Sequence, residues 1–95
     1  MSKKEAYEKK LQAQLDELSA DIDKLKARAA QAEADSQLEY QKQLEDLREK
    51  RAAAQDKLEN IKGSSEEAWE DIKAGADGAL ESLSAALKSA SARFK

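Results

Sequence analysis

Carboxylates and cationic side chains carry nearly all the chemistry that this chain could perform. It has 20 Asp and Glu residues and 17 Lys and Arg residues, with no His and no Cys. Disulfides, thiolate nucleophiles, imidazole acid–base chemistry and the usual zinc sites are therefore excluded. A pair of carboxylates could still act as general acid and base, but only in a cavity that shifts their pKa values. The thin helical architecture argued below offers no such cavity, so we predict no catalytic residues and no enzyme.

Other potential sites are equally incomplete. The fragments "DID" at 21–23 and "ADG" at 76–78 lack the remaining ligands of a calcium loop. Trp69 and Tyr40 are interpreted as core aromatics rather than a ligand cage. The net charge of −3 and the pI near 5.1 argue against nucleic acid, whose binding needs a basic face. We therefore predict no metal, no cofactor, no small-molecule substrate and no nucleic-acid partner.

The composition indicates long helices. Charged residues make up 39% and aromatic residues 4%, with three Gly and no Pro, which is typical of coiled coils. A mean hydropathy of −0.89 raises disorder as the alternative, but the apolar period favours helix. The basic start "MSKKEAYEKK" is not followed by the apolar segment of a secretory signal, and no apolar run is long enough to span a bilayer. We expect a soluble, cytoplasmic, all-α protein.

The first 62 residues predict one long helix, over about residues 3–62. No Gly or Pro interrupts it, and Ser2 and Glu5 have the spacing of a capping box. Its apolar residues alternate in steps of four and three, typical of coiled-coil seams. There are two such seams, out of phase with each other: Leu11, Leu15, Leu18, Ile22, Leu25, Ala29 and Ala32, then Tyr40, Leu44, Leu47, Arg51, Ala54, Leu58 and Ile61. We interpret the phase slip as a local change of supercoil in a helix about 90 Å long.

The stretch "IKGSSEEAWED", residues 61–71, interrupts the helical pattern. Gly63 is the residue type that ends helices in the left-handed conformation. Ser64 can cap a new helix with Glu67 at its N3 position, and acidic residues suit the first turns of that helix. We therefore predict a turn at Gly63, Ser64 and Ser65, after which the chain folds back as a helical hairpin.

The second helix is predicted over about residues 65–94, with an apolar period of eleven residues. Gly75 and Gly78 each cost about 1 kcal/mol relative to Ala in a helix interior. We interpret them as allowing close backbone approach, with a break in the helix as the alternative. The residues predicted to pack between the two helices are Tyr40, Leu44, Leu47, Leu58, Ile61, Trp69, Ile72, Leu80, Leu83, Leu87 and Phe94.

The unequal lengths of the two predicted helices imply self-association. The second helix could cover only about residues 32–61 of the first, which leaves an apolar stripe exposed. Exposed stripes of this kind mark interaction surfaces, and a symmetric oligomer is the simplest cover. The predicted fold is thus a hairpin of a long and a short antiparallel helix that assembles into a coiled-coil bundle, as an antiparallel homodimer or a tetramer. Its predicted interface consists of Leu11, Leu15, Leu18, Ile22 and Leu25.

Several blocks of sequence resemble a known family. "MSKKEAYEKKLQAQLDELSADIDKLKA", the Ala-rich middle, "AWEDIKAG" and "LKSASARF" are similar to small bacterial coiled-coil proteins described as stress-response proteins. The resemblance covers essentially the whole chain, and the N-terminal block is its most specific part. Members of this family often have Trp where this chain has Leu18. The resemblance implies a cytoplasmic helical protein associated with stress, without catalytic residues to carry over.

Two functions fit these features. The first is a structural or interaction protein that associates with itself in a stress response. The second is a peripheral protein of membrane surfaces. No acidic residue follows Glu81, and the C-terminal "SLSAALKSASARFK" sets a Ser-rich face with Lys88, Arg93 and Lys95 opposite Leu and Phe. That composition is typical of helices that sense lipid-packing defects, although packing of the same face against another helix explains it too.

Overall fold

The computed structural model describes residues 2–93, and these residues form helices and turns without any strand. The three helices are α1 (Lys3–Ala30), α2 (Ala34–Lys62) and α3 (Trp69–Arg93). They pack side by side into a body of 51 × 19 × 18 Å. The predicted all-α class is confirmed, but the body is much shorter than a helix of 60 residues would be.

The prediction of one continuous helix over 3–62 is wrong, because the chain turns at residues 31–33. Gln31 is still helical and donates its N–H to the Arg28 carbonyl oxygen at 3.1 Å. Glu33 is extended, with φ −64° and ψ 156°, and its carbonyl oxygen accepts the N–H groups of Ser36 and Gln37. The turn therefore uses ordinary dihedral angles and needs no Gly. The phase slip between the two seams was the sign of this turn.

Contacts between helix ends establish the directions of the helices. Lys4 of α1 donates to the Lys62 carbonyl oxygen at the end of α2, over 3.1 Å. Arg93 at the end of α3 pairs with Glu39 near the start of α2, with 2.9 Å between Nη1 and Oε1. Consequently α2 runs antiparallel to both other helices, and α1 and α3 run parallel to each other.

The apolar stripe of α1, which was expected to stay uncovered, is buried inside the single chain. Leu11, Leu15, Ile22 and Leu25 are only 2–3% exposed, and Leu18 is half-buried. The prediction that a second chain must cover this stripe is therefore wrong, because the turn at 31–33 lays α1 beside α2 and α3. In α2 and α3 the buried residues are Tyr40, Leu44, Leu47, Ala54, Leu58, Ile61, Trp69, Ala76, Leu83, Leu87 and Ala90.

Two residues expected to pack between the helices are not part of that core. Leu80 is half-buried against it. Ile72 is 37% exposed, so its predicted burial is wrong. The eleven-residue period placed Ile72 with Leu83, but Ile72 lies in the first turn of α3, at the end of the bundle. Phe94 lies outside the described residues.

The reversal near Gly63 occupies residues 63–68 and differs in detail from the prediction. Gly63 has φ −82° and ψ −5°, a helical conformation rather than the left-handed one. The cap is formed by Ser65 rather than Ser64: its Oγ accepts the Ala68 N–H at 3.0 Å. The α3 helix begins at Trp69, after a turn at 66–68. Six residues of connection are enough to reverse the chain with ordinary dihedral angles.

The two glycines of α3 neither break the helix nor bring another backbone close. The helix is continuous through Gly75 and Gly78. A Cβ atom added at either glycine would have nothing within 4 Å. Both glycines therefore lie on the open side of α3, and the expected close approach is wrong.

Candidate interaction surface

The described surface is crossed by shallow grooves between helices, and its carboxylates are spread along the outside. Within residues 2–93, no group of three His, Cys, Asp or Glu side chains is placed to hold a metal ion. No polar or charged residue of this part of the chain is buried. Two features combine apolar and charged side chains most closely: an aromatic cluster at one end of the bundle and a groove between α1 and α3.

The aromatic cluster, which we call the aromatic clasp, consists of Tyr7, Trp69, Lys73 and Asp77. The Tyr7 and Trp69 rings are 5.5 Å apart between centroids and inclined at 34°. The Lys73 ammonium lies over both rings, 5.2 Å from the Tyr7 centroid and 5.9 Å from the Trp69 centroid, so cation–π attraction adds to the contact. The Tyr7 hydroxyl donates a hydrogen bond to the Asp77 carboxylate. The clasp thus joins the start of α1 to the start of α3.

The chemistry of the clasp is structural. Partial burial and, after it, the hydrogen bond and the negative charge of Asp77 raise the pKa of the Tyr7 hydroxyl well above its usual value of 10.0. The hydroxyl is therefore a donor held in its neutral form, and the chain's own Lys73 occupies the aromatic faces. Tyr7 was not predicted from the sequence, although it lies four residues before Leu11 and so continues the seam of α1.

The second feature, the α1–α3 groove, has four leucines along its floor: Leu18 and Leu25 from α1, with Leu80 and Leu87 from α3. Its main part has a volume of about 690 Å³, and an adjoining part near Leu80 about 310 Å³. The groove exists because α1 and α3 contact each other less than either contacts α2. Leu18 and Leu80 remain half-buried at its surface.

The charges along this groove are separated by sign. Glu17, Asp21 and Glu81 lie toward the end near Leu80, whereas the opposite end carries only cations: Lys24, Arg28 and Lys88. Only Asp21 and Lys24 form an ion pair, at 4.0 Å, on the border between the two ends. The other four charged side chains have no ion-pair partner among the described residues. We call these two halves the acidic end and the basic end.

The predicted interface residues are divided between the core and this groove. Leu11, Leu15, Ile22 and Leu25 belong to the core. Leu18 and Leu25 line the groove. Sequence reasoning missed the contribution of Leu80 and Leu87 to the same surface. No local signal could have revealed it, because the groove exists only once α1 has folded back beside α3.

The Ser-rich C-terminal segment places its apolar residues in the bundle. Leu83, Leu87 and Ala90 are at most 5% exposed, while Ser82 and Ser89 face solvent. Among the described residues, no helix is long and apolar enough to cross a membrane. Contact between the leucines of α3 and lipid would require this helix to leave the core.

No protein-family model matches the chain, and no curated protein or solved structure matches it. Its class is therefore defined by its own fold and surface. The described chain is a small bundle of three helices with a charged outside and a leucine-floored groove between α1 and α3.

Proposed function

We propose that this is a non-enzymatic interaction protein that binds another helical surface through the α1–α3 groove. The observation that carries the proposal is the pair of half-buried leucines, Leu18 and Leu80, on the floor of a groove between two parallel helices. Apolar residues in such grooves are the usual contacts for an amphipathic helix. Association there would extend the three helices into a larger bundle of the coiled-coil kind.

The biological setting that we propose is the cytoplasmic stress response of a bacterium. It rests on the resemblance of the N-terminal block and of "AWEDIKAG" to the stress-response family. A binding role agrees with the distribution of charge, since the described polar side chains lie outside the core and the carboxylates do not meet in a cavity. Lipid binding is not favoured, because Leu83 and Leu87 are already used in the core.

Site-specific photo-crosslinking in bacterial cells tests this proposal. A photoreactive amino acid replaces Gln14, which is exposed and lines the groove beside Leu18 and Leu80. The matched control carries it at Ala53, which is exposed on α2 and lies outside the groove. We expect a discrete crosslinked species from position 14, stronger under heat or osmotic stress, and none from position 53. Equal or absent crosslinking at the two positions would contradict the proposal.

A further inference from the structure

We propose that the partner in the α1–α3 groove is a second copy of this chain, packed antiparallel on the same face. The proposal rests on the function proposed above and names its partner. The separation of charge within the groove supports it. In an antiparallel pair, the acidic end of one copy faces the basic end of the other at both ends of the interface. A parallel pair would place like charges together, which costs free energy and selects against that arrangement.

The positions of the leucines agree with the same symmetry. Leu18 and Leu25 are one heptad apart, about 10 Å along α1. A two-fold axis midway between them, near Asp21, places the half-buried Leu18 of each copy over the part of the other copy's groove whose floor is closed by Leu25, which is itself only 2% exposed. The same axis brings Glu17 within about one helical turn of the other copy's Arg28. An isologous interface requires such self-complementarity, because one surface patch must match itself after rotation.

The face of the bundle that carries the groove has room for an interface of standard size. The bundle is 51 Å long and 19 Å wide. The projected area of this face is larger than the roughly 800 Å² per partner that a stable interface of standard size buries. The aliphatic parts of Lys24, Arg28 and Lys88 of one copy can cover the exposed edges of Leu18 and Leu80 of the other copy. The charges of these three side chains then meet the acidic end of that other copy. The pair would then bury the half-exposed leucines of both copies.

Size-exclusion chromatography with light scattering measures the mass of the protein in solution. We expect this mass to be twice the 10.5 kDa of one chain. Two triple variants test the groove. One makes it entirely acidic (Lys24→Glu, Arg28→Glu, Lys88→Glu) and the other entirely basic (Glu17→Lys, Asp21→Lys, Glu81→Lys). We expect each variant alone to associate more than about 10-fold more weakly, and their equimolar mixture to recover the dimer. Circular dichroism checks that both variants keep the helical content of the parent.

The matched control reverses three exposed cations of α2 that lie outside the groove: Lys42→Glu, Arg51→Glu and Lys57→Glu. It changes the net charge as much as the acidic variant does, and we expect it to leave the dimer unchanged.

The antiparallel orientation of the two copies is tested by introduced cysteines, because the chain has none of its own. A mixture of Glu17→Cys and Arg28→Cys chains should form a mixed disulfide. The Glu17→Cys chain alone should not, because its two sulfurs would be about 15 Å apart, beyond the reach of a disulfide.

Three outcomes would overturn the inference: a wild-type mass of one chain at every concentration, a dimer that persists in both triple variants, or a disulfide between two Glu17→Cys chains. These outcomes are distinct from failure of the proposed function. A crosslink from position 14 to a protein of another mass would retain the function and reject the second copy. The absence of any crosslink from position 14 would reject both.

Discussion

The two connections between the helices reverse the chain by different means. The connection at 31–33 has three residues, no Gly, no Pro and no side-chain cap at Glu33. The connection at 63–68 is twice as long and rich in local hydrogen bonds. Ser64 Oγ donates to the Ile61 carbonyl oxygen at 2.6 Å, and Ser65 Oγ accepts the Ala68 N–H. One connection is held by its own serines, whereas the side-chain bond at the other comes from α2, where Gln37 Nε2 donates to the Ala32 carbonyl oxygen at 3.0 Å.

This difference shows how packing overrides helix propensity. Residues 29–34 are good helix formers on their own, and continuing the helix would preserve every backbone hydrogen bond. A straight helix, however, would leave the α1 leucines in water. Burial of one Leu or Ile side chain contributes about 1.5–3 kcal/mol, so four of them outweigh the few bonds lost at the turn. The turn at 31–33 is thus stabilised by residues that lie far from it in the sequence.

The largest expected effect comes from removing that distant stabilisation. Replacing both Leu15 and Ile22 by Asp should open the bundle, because each change removes a buried side chain and adds a charge to the core. We expect a loss of more than about 4 kcal/mol and, in small-angle scattering, a particle longer than that of the parent protein. The control Leu38→Asp, at a position 64% exposed near the turn, should change neither property. An unchanged particle length in the double variant would show that residues 31–33 specify the turn themselves.

A smaller effect is expected at the locally encoded connection. Ser65→Ala removes the hydroxyl that accepts the Ala68 N–H and should lower the free energy of unfolding by about 1 kcal/mol in urea titrations. Ser36→Ala, beside the other connection, is the matched control. The Ser36 hydroxyl makes no hydrogen bond to another described residue, so its removal should cost nothing. Equal losses from the two variants would mean that the two connections do not differ in this way.

Gly63→Ala should raise stability slightly, by about 0.4–1 kcal/mol. The φ of −82° is open to any residue, and the new Cβ would lie in ordinary contact, 3.6 Å from the Glu59 carbonyl oxygen. The gain arises because Ala has fewer conformations than Gly in the unfolded chain. Urea titration measures it. A loss of stability would indicate that the connection does use the left-handed conformation that only Gly adopts readily.

The smallest effect concerns pH and the aromatic clasp beside the 63–68 connection. Burial and the bond to Asp77 raise the pKa of Tyr7 above 10.0, so the folded chain holds this proton more tightly than the unfolded chain. The free energy contributed by this group is therefore complete below pH 10 and declines as the pH rises above it. We expect the slope of stability against pH above 10 to be shallower in Tyr7→Phe. Identical slopes for parent and variant would show that the clasp does not hold the proton.

Much of the secondary structure followed from local patterns. Ser2 caps α1 through its bond to the Glu5 N–H, at the spacing that the sequence indicated. The absence of Pro and the four–three alternation indicated helix on both sides of residue 31. The end of α2 at Lys62 was marked by Gly63 and the serines. The start of α3 was predicted four residues early, because the turn at 66–68 and a helical turn share the same acidic and small residues.

The candidate surface could be predicted only in part. Leu18 was recognised as an apolar position of α1, yet nothing local separated it from Leu11, Leu15, Ile22 and Leu25, which the structure places in the core. Which leucines line a groove depends on the rotation of α1 against α3. Residues 60 to 70 positions apart along the chain determine that rotation, as in the bond from Tyr7 to Asp77. The groove and its two charged ends are consequently properties of the tertiary structure.

The sequence by itself determined that this protein is helical, that its charges stay outside and that the chain is interrupted after Lys62, because these features depend on residues within one or two helical turns. Only the tertiary structure decided that α1 ends at Ala30 and folds back. The phase slip was visible, but its meaning was not. A continuous helix and a turn at 31–33 differ little in local free energy, and the burial of the α1 leucines against α2 and α3 decides between them.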